Sequence, residues 1–313
     1  MAISISQFKR DLVSVRIQGA MAVARATLQA FGSYTRSVPA PRKKADWAKL
    51  LKVADTLATV RPTEPLARNV VRWYVHELQS YVGTTSSQAQ WRGHAGSLAR
   101  AILEYLNEVD DLIVTAGQRL VRPQQTIFTH CHSSITEHIL VAARRAQKHF
   151  HVYHTETRPL FQGRITDKRL RAAHIPAVMV ADSAAAFLIS KHSGDTVNVD
   201  WVLLGADSIA RDGSVLNKIG SFGIALAAHD SKIPVYVATP LLKIDWHTTS
   251  TFELRPGSEL WPNAPAGTQA LNFAFDRVPA PYIKGIICEF GIIKPSQVAR
   301  LVKQHYPWIT RRS

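Results

Sequence analysis

Two side chains in this sequence have the chemistry of a proton-transfer pair. Cys131 follows the apolar run TIFTH, and Asp207 follows the apolar run DWVLLGA. A helix predicted to begin near Ser133 would lower the pKa of the cysteine thiol, so that its thiolate could act as a base or a nucleophile. A carboxyl group in a partly dry crevice can keep its proton at neutral pH and donate it. The alternatives are a small buried hydrophobe for Cys131 and a turn or cap for Asp207.

Further polar residues follow other apolar runs of the same kind. Glu156, Asp182 and Lys243 each stand behind such a run. Asn217 and Lys218 come after an Asp-Gly turn, at the predicted start of a helix, where the helix dipole, free amides and an ammonium group suit a phosphate. These positions predict a phosphate-binding crevice that contains a thiol, carboxyl groups and ammonium groups.

Two segments near the start of the chain also suit anions. Small residues in the segment formed by Gln18, Gly19, Ala20 and Met21 permit close approach of the backbone. Arg61 directly precedes a helix that Pro62 would initiate. Taken singly, each segment is better explained by packing or by the start of a helix.

The elements that must position these residues follow from the apolar pattern. The runs are short, rich in β-branched and aromatic residues, and separated by helix-length segments, which predicts βαβ units and a mostly parallel sheet. Ligands of such sheets bind beyond the carboxyl ends of the strands. Before residue 118 the apolar spacing is helical, as in Leu66, Val70 and Trp73. We therefore expect an α/β protein with a helical domain at 1–120 and a Rossmann-like catalytic domain at 121–313.

Composition narrows the classes of ligand and partner. The chain has 313 residues, of which 46% are hydrophobic, and 38 Lys and Arg against 23 Asp and Glu give a net charge of +15. That charge favours phosphorylated metabolites and other polyanions, but the cations are scattered and we do not expect specific nucleic-acid binding. Two isolated cysteines favour the cytoplasm. We expect no membrane span and no metal site, because no apolar stretch approaches about 20 residues and the sequence His130-Cys131-His132 alternates faces without a second ligand pair.

Six motifs carry a resemblance to a known superfamily. In chain order and spacing they resemble the aldose 1-phosphate isomerases and the regulatory subunits of translation initiation factor 2B, over most of residues 8–300. The motifs are THCHSS, ETRPLFQG, DSAAAFLI, GADSIARDGSVLNKIGSFG, YVATPLLKID and NFAFDRVPAPYI.

Within the superfamily, the chain most resembles the ribose-1,5-bisphosphate isomerases in its length, in the RPT motif at Arg61 and in Lys243. Methylthioribose-1-phosphate isomerases carry RGAPAI where this chain reads QGAMAV, and they have an extra N-terminal segment. Initiation-factor subunits, which would be noncatalytic regulators or nucleotide sensors, generally lack the cysteine and often replace the aspartate of the GAD motif. Both of those readings remain alternatives.

The resemblance implies a role for each matching residue. Cys131 would be the proton acceptor and Asp207 the proton donor in converting ribose 1,5-bisphosphate to ribulose 1,5-bisphosphate. No cofactor would be required, AMP is a candidate activator, and a homodimer or higher homo-oligomer is expected. The chain departs from the family pattern at Gln18, where arginine is usual, and at His132-Ser133-Ser134, where Asn-Ser-Gly is usual. The expected substrate contacts are Gln18, Gly19, Ala20, Met21, Arg61, His132, Ser133, Ser134, Gln162, Asn217, Lys218 and Lys243.

Overall fold

The structure is a computed structural model that describes residues 19–59, 65–83, 87–190, 194, 197–247 and 253–311. The described residues form two compact units. The first takes residues from Met1–Glu108, Leu242–His247 and Arg300–Ser313, and the second takes residues from Val109–Leu241 and Thr248–Ala299. The domain division at residue 120 stays a prediction, because compactness does not establish independent folding.

The early part of the chain is helical, as predicted. One apolar face of α1 is buried, and it includes Val23, Leu28 and Phe31. Burying a side chain of this size contributes roughly 1.5–3 kcal/mol. The first helix ends before the segment 38–43, which contains Pro39 and Pro41. The helices are α1 (Ala20–Ser37), α2 (Lys44–Ala58), α3 (Pro65–Gln79) and α4 (Gln88–Gln118).

A seven-stranded sheet dominates the second unit, in the order β13-β12-β7-β4-β1-β2-β3. All neighbouring strands pair in parallel except β13, which runs antiparallel to β12. The five predicted apolar runs form β1, β2, β3, β4 and β7. The strands are β1 (Thr126–Thr129), β2 (His151–Thr155), β3 (Ala177–Val180), β4 (Trp201–Leu204), β7 (Val235–Ala238), β12 (Gly285–Cys288) and β13 (Gly291–Ile293).

Helices follow the parallel strands β1, β2, β3 and β4 along the chain, so the predicted fold class is confirmed. Central strands such as β4 are buried along their whole length, as expected for a sheet covered on both faces. A helix begins at Val298, three residues after Pro295. The remaining helices are α5 (Ser134–Arg145), α6 (Gly163–Ala172), α7 (Ala185–Ile189), α8 (Ser221–Asp230), α9 (Val298–His305) and α10 (Pro307–Thr310).

A smaller antiparallel arrangement follows β4. Strands β5 and β6 form a hairpin closed by the predicted turn at Asp212 and Gly213, where the Asp212 carboxylate accepts the Ser214 amide at 2.9 Å. Gly213 has a φ of 82°, a conformation that favours glycine. Strand β11 pairs with β6 on its other side. The remaining strands are β5 (Ser208–Ala210), β6 (Val215–Lys218), β8 (Ile244–Asp245), β9 (Leu254–Arg255), β10 (Asn272–Phe273) and β11 (Phe275–Val278).

One local prediction is wrong. Asn217 and Lys218 do not begin a helix but end strand β6, opposite Asp276 and Phe275 of β11. The helix begins three residues later, after Gly220 at a φ of 104°. Pairing with a strand about 60 residues further along the chain decides this conformation, and a local pattern does not contain that information.

Among the helices that the structure describes, none is both long enough and apolar enough to cross a membrane.

Candidate active site

The loop between β1 and α5 holds Cys131 in an uncommon backbone conformation. Its φ is 66°, in the left-handed region, where residues other than glycine are uncommon. The Cys131 amide donates to Thr157 Oγ1 at 3.1 Å, and the Cys131 carbonyl accepts from Thr166 Oγ1 at 3.0 Å. The side chain is half-buried. The backbone of Cys131 is therefore fixed from both sides by threonine hydroxyls.

Helix α5 starts just behind the thiol, as predicted. Ser133 is its N-cap residue, and its side chain makes no capping hydrogen bond within the described part of the chain. The first amides of this helix therefore point toward the loop without that partner. Gly205, at the end of β4, permits the close approach of the two segments. A Cβ added at Gly205 would lie 2.8 Å from both Cβ and Oγ of Ser133.

Asp207 lies between β4 and β5, and its amide donates to the Leu216 carbonyl at 2.8 Å. It is half-buried. Since β4 lies beside β1, its carboxyl end meets the same sheet edge as Cys131. The charges of Asp207 and Lys218 both act on the Cys131 thiol. The structure thus brings together the thiol, the carboxyl group and one ammonium group of the predicted site.

Burial decides the protonation state of the thiol. Desolvation raises the pKa of Cys131 to about 11; the Lys218 charge opposes this shift, whereas the Asp207 charge adds to it. The amide of His132 also favours the thiolate. The predicted lowering of this pKa by the helix N-terminus is therefore contradicted, because the cost of burying the charge exceeds the effect of the amides.

We expect opposite changes in the pKa of Cys131 when the two neighbouring charges are removed. Asp207→Asn removes a negative charge and lowers the pKa, so the rise of thiolate with pH moves to lower pH. Lys218→Met removes a positive charge and raises the pKa, so the rise of thiolate with pH moves to higher pH. Both are measured as the rate of iodoacetamide alkylation against pH in a Cys288→Ala background, which leaves one thiol.

The matched control for this titration is Asp212→Asn. Asp212 is also an aspartate of the β5–β6 hairpin, but its carboxylate accepts from the amide and hydroxyl of Ser214, and it is not among the charges that act on Cys131. The midpoint should stay unchanged in this variant. If Asp207→Asn and Lys218→Met moved the midpoint in the same direction, the charge arrangement described above would be incorrect.

Lys218 and Asn217 are held from several sides. Lys218 Nζ lies 5.1 Å from the centre of the Phe275 ring, a cation–π contact. Asn217 Nδ2 donates to Ser221 Oγ at 2.8 Å, and this hydroxyl donates to the Lys218 carbonyl at 2.7 Å. Both residues are buried, with a relative exposure of 6% for Asn217 and 9% for Lys218. Packing therefore fixes the direction of the ammonium group.

The N-terminus of α8 already has an anion. The Asp276 carboxylate accepts the amides of Gly220 at 2.7 Å and Phe222 at 3.1 Å. Burial raises the pKa of Asp276 to about 6, and these two amides oppose the shift. The amides that were expected to bind phosphate beside Lys218 are therefore partly used within the protein. The start of α5 is the better candidate for an anion.

Other predicted contacts are distributed as follows. His132 Nδ1 lies 3.1 Å from Thr166 Oγ1, and burial lowers the pKa of His132. Ser134 is the first residue of α5. Gln162 precedes α6, and its Oε1 is buried with no hydrogen-bond partner among the described residues. Gly19, Ala20, Met21 and Lys243 belong to the first compact unit, and their roles stay predictions. Gln18 and Arg61 lie outside the described residues.

Three residues behind the thiol were not predicted as part of the site. They are His130, Thr155 and Thr157, with relative exposures of 3%, 0% and 0%. Asp182, which the strand-end pattern did single out, accepts the amides of Thr157 at 2.8 Å and Arg158 at 2.7 Å. A threonine two residues past the end of β2 carries no chemical signal of its own, so only the fold reveals its contact with Cys131.

The fold and the site define an α/β protein with a Rossmann-like sheet and a thiol–carboxyl pair at the carboxyl ends of its strands. Comparison with known proteins gives the family. The model of the Initiation factor 2 subunit family matches residues 16–295, and the chain belongs to that family. The resemblance seen in the sequence motifs is confirmed.

Two curated relatives are equally similar in identity. The methylthioribose-1-phosphate isomerase of Desulforamulus reducens is 31% identical over 94% of this chain and 88% of its own length. The ribose 1,5-bisphosphate isomerase of Haloferax volcanii is 31% identical over 95% of this chain and 93% of its own length. Both names are those of sugar-phosphate isomerases, so the predicted enzyme class is confirmed at that level.

A solved structure supports the fold alone. The translation initiation factor eIF-2B of Pyrococcus horikoshii superposes with a TM-score of 0.75, at 24% identity, over 93% of this chain and 97% of that chain. An identity this low does not transfer a function.

Proposed function

We propose that this chain is an isomerase that converts ribose 1,5-bisphosphate to ribulose 1,5-bisphosphate by acid–base catalysis, with Cys131 and Asp207 as the proton-transfer pair. This proposal is carried by one observation: Cys131 and Asp207 follow the neighbouring parallel strands β1 and β4, and the charges of Asp207 and Lys218 act on the Cys131 thiol. A base, an acid and a cation for phosphate are the three groups that the reaction requires.

The chemistry needs one proton shared between the two groups. In the first step the Cys131 thiolate takes the proton from C2, and the electrons of that C–H bond form a double bond between C1 and C2. The bond from C1 to the ring oxygen breaks, and Asp207 donates its proton to that oxygen. In the second step the Cys131 thiol protonates C1, while the Asp207 carboxylate takes the proton of the C2 hydroxyl and C2 becomes a carbonyl carbon. Both groups return to their starting protonation.

The raised pKa of Cys131 fits this arrangement. A thiol with a pKa of about 11 is thiolate in only roughly 1 molecule in 3,000 at pH 7.5. The reactive pair, thiolate with carboxylic acid, contains as many protons as thiol with carboxylate, because the two groups titrate as a coupled pair. Transfer of one proton from Cys131 to Asp207 therefore forms the reactive pair without a proton from solvent.

Two features suit the 1-phosphate. Lys218 provides a fixed positive charge near the thiol, and the start of α5 provides amides next to Ser133. A phosphate at a helix N-terminus is stabilised by these amides and by the helix dipole. This placement would keep the 1-phosphate beside the carbon that Cys131 deprotonates.

Charge and motifs favour the bisphosphate over the methylthio sugar. The net charge of +15 favours a substrate with two phosphates. The motif differences at QGAMAV and at Lys243 favour the same choice.

The deciding experiment supplies both sugars to the purified chain. With α-ribose 1,5-bisphosphate we expect ribulose 1,5-bisphosphate, detected by coupled carboxylation, with kcat/KM at least about 100-fold above that for 5-methylthioribose 1-phosphate, because a fixed cation without its anion is left unpaired. The coupling enzyme with ribulose 1,5-bisphosphate alone is the control. Turnover of the methylthio sugar alone would assign the other isomerase activity. Turnover of neither sugar, together with nucleotide binding, would favour the noncatalytic regulator.

A further inference from the structure

Behind the thiol, a continuous series of hydrogen bonds runs through the protein interior. Cys131 donates its amide to Thr157 Oγ1 at 3.1 Å, and this oxygen lies 3.0 Å from Thr155 Oγ1. Thr155 Oγ1 lies 2.6 Å from His130 Nδ1, and His130 Nε2 lies 2.8 Å from the Ile219 carbonyl oxygen. The series thus begins at the proposed base and ends at the residue after Lys218.

The Ile219 carbonyl at one end and a neutral His130 together fix the direction of every bond in this series. A carbonyl oxygen only accepts, so His130 Nε2 carries a proton and donates to Ile219. Burial lowers the pKa of His130. The Lys218 charge acts in the same direction, whereas the Ile219 backbone, the Asp182 charge and the Lys218 backbone oppose it. A neutral imidazole that carries its proton on Nε2 has an unprotonated Nδ1. Thr155 must donate to that nitrogen, Thr157 must donate to Thr155, and Thr157 is left to accept from Cys131.

We propose that His130, Thr155 and Thr157 are positioning residues, and that the Nε2-protonated, neutral form of His130 orients this hydrogen-bond chain so that it holds Cys131 in its left-handed conformation. The proposal deepens the proposed function and rests on it for its kinetic consequence. The chain does not conduct protons to the sulfur, because it ends on the amide of Cys131. Its role is to fix the backbone that carries the thiol.

Backbone geometry shows why such support is needed. Cys131 has a φ of 66° and Thr157 a φ of 61°, although β-branched residues rarely adopt this region. A residue in this conformation is strained, and it persists only where its surroundings determine the conformation. At the Thr157 end, the Asp182 carboxylate accepts the amides of Thr157 and Arg158 and so holds this backbone. The Thr157 hydroxyl in turn accepts the Cys131 amide.

At the Ile219 end, the hydrogen-bond chain also contacts the segment that follows Lys218. His130 packs against Gly220, since a Cβ added there would lie 3.3 Å from the imidazole ring. The same imidazole therefore contacts the β6–α8 connection that follows Lys218 and, through the two threonines, supports Cys131. This links the position of the thiol to that of the phosphate-binding cation.

The kinetic test removes one hydroxyl from the chain. Thr157→Val should lower kcat for ribose 1,5-bisphosphate on the order of 100-fold with KM changed less than about threefold, because a small displacement of a reacting group has effects of that size. Thr157→Ser keeps the hydroxyl and should restore kcat to within about fivefold of the wild type. Thr155→Val breaks the next link and should behave as Thr157→Val does.

The matched control is Thr27→Val. Thr27 is fully buried, and its hydroxyl donates to the Val23 carbonyl within α1. This variant also loses a buried threonine hydroxyl, and it should keep wild-type kcat because this hydroxyl does not support Cys131. Wild-type kcat in Thr157→Val, or equal loss in Thr157→Ser and Thr157→Val, would overturn the proposal.

A spectroscopic test is independent of turnover. Long-range proton–nitrogen correlation spectra of the full chain at pH 7.5 should show His130 protonated on Nε2 alone, with the signal assigned by its loss in His130→Gln. A proton on Nδ1 overturns the proposed direction. The alkylation of Cys131 should also be faster in Thr157→Val. If the wild type isomerises neither sugar, this alkylation rate and the His130 tautomer still test the hydrogen-bond chain. A failure of this inference is therefore distinguishable from a failure of the proposed function.

Discussion

Cys131→Ala and Asp207→Asn are each expected to lower kcat for ribose 1,5-bisphosphate by at least about 1,000-fold, since a positioned acid or base contributes on the order of 100- to 10,000-fold. KM should change much less, because neither group is proposed to hold the phosphates. The measurement is steady-state turnover by coupled carboxylation. Retention of more than a tenth of the wild-type kcat by both variants would exclude this proton-transfer pair.

The double variant makes this prediction sharper. The two groups share one proton and exchange it within each turnover, so they act as a unit, and removal of both should cost little more than removal of one. Independent contributions would instead multiply. Cys288→Ala is the matched control: Cys288 is a free and fully buried cysteine in β12, and its loss should leave kcat within about threefold of the wild type.

The same pair shows which parts of the site a sequence can predict. Cys131 and Asp207 could be found because each follows a buried strand, and parallel strands bring their carboxyl ends to one edge. The protonation of Cys131 could not be predicted in this way. A helix start lowers a thiol pKa, but the amount of buried surface around the sulfur decides the direction here, and burial depends on residues from distant parts of the chain.

Some strands of the fold can also be predicted from their own sequence, whereas others depend on distant parts of the chain. Strands β1, β2, β3, β4 and β7 are apolar runs in a regular alternation, so their sequences are sufficient to predict them. Strand β6 ends in Asn217 and Lys218, and only its partner β11 makes this segment extended. The hydrogen-bond chain through Thr155 and Thr157 is also hidden, because threonine is an ordinary residue of strands and their ends.

A glycine beside this hydrogen-bond chain should be the most sensitive position for folding. Gly163 begins α6, and its amide donates to the Glu156 carbonyl at 3.1 Å. A Cβ at this position would lie 1.8 Å from the carbonyl oxygen of Thr155 and 2.9 Å from that of Glu156. Both obstacles are backbone atoms at the end of β2, so they cannot move aside as a flexible side chain would.

Gly163→Ala is therefore expected to lower the free energy of unfolding by about 3–5 kcal/mol, measured by urea denaturation. Gly223→Ala is the matched control, because Gly223 lies in α8 with no other atom within 4 Å of the added Cβ among those described. Alanine is the better helix former, so this control should gain up to about 1 kcal/mol. Similar stability of the two variants would mean that the end of β2 moves aside easily. This result would contradict the rigid support that we infer behind Cys131.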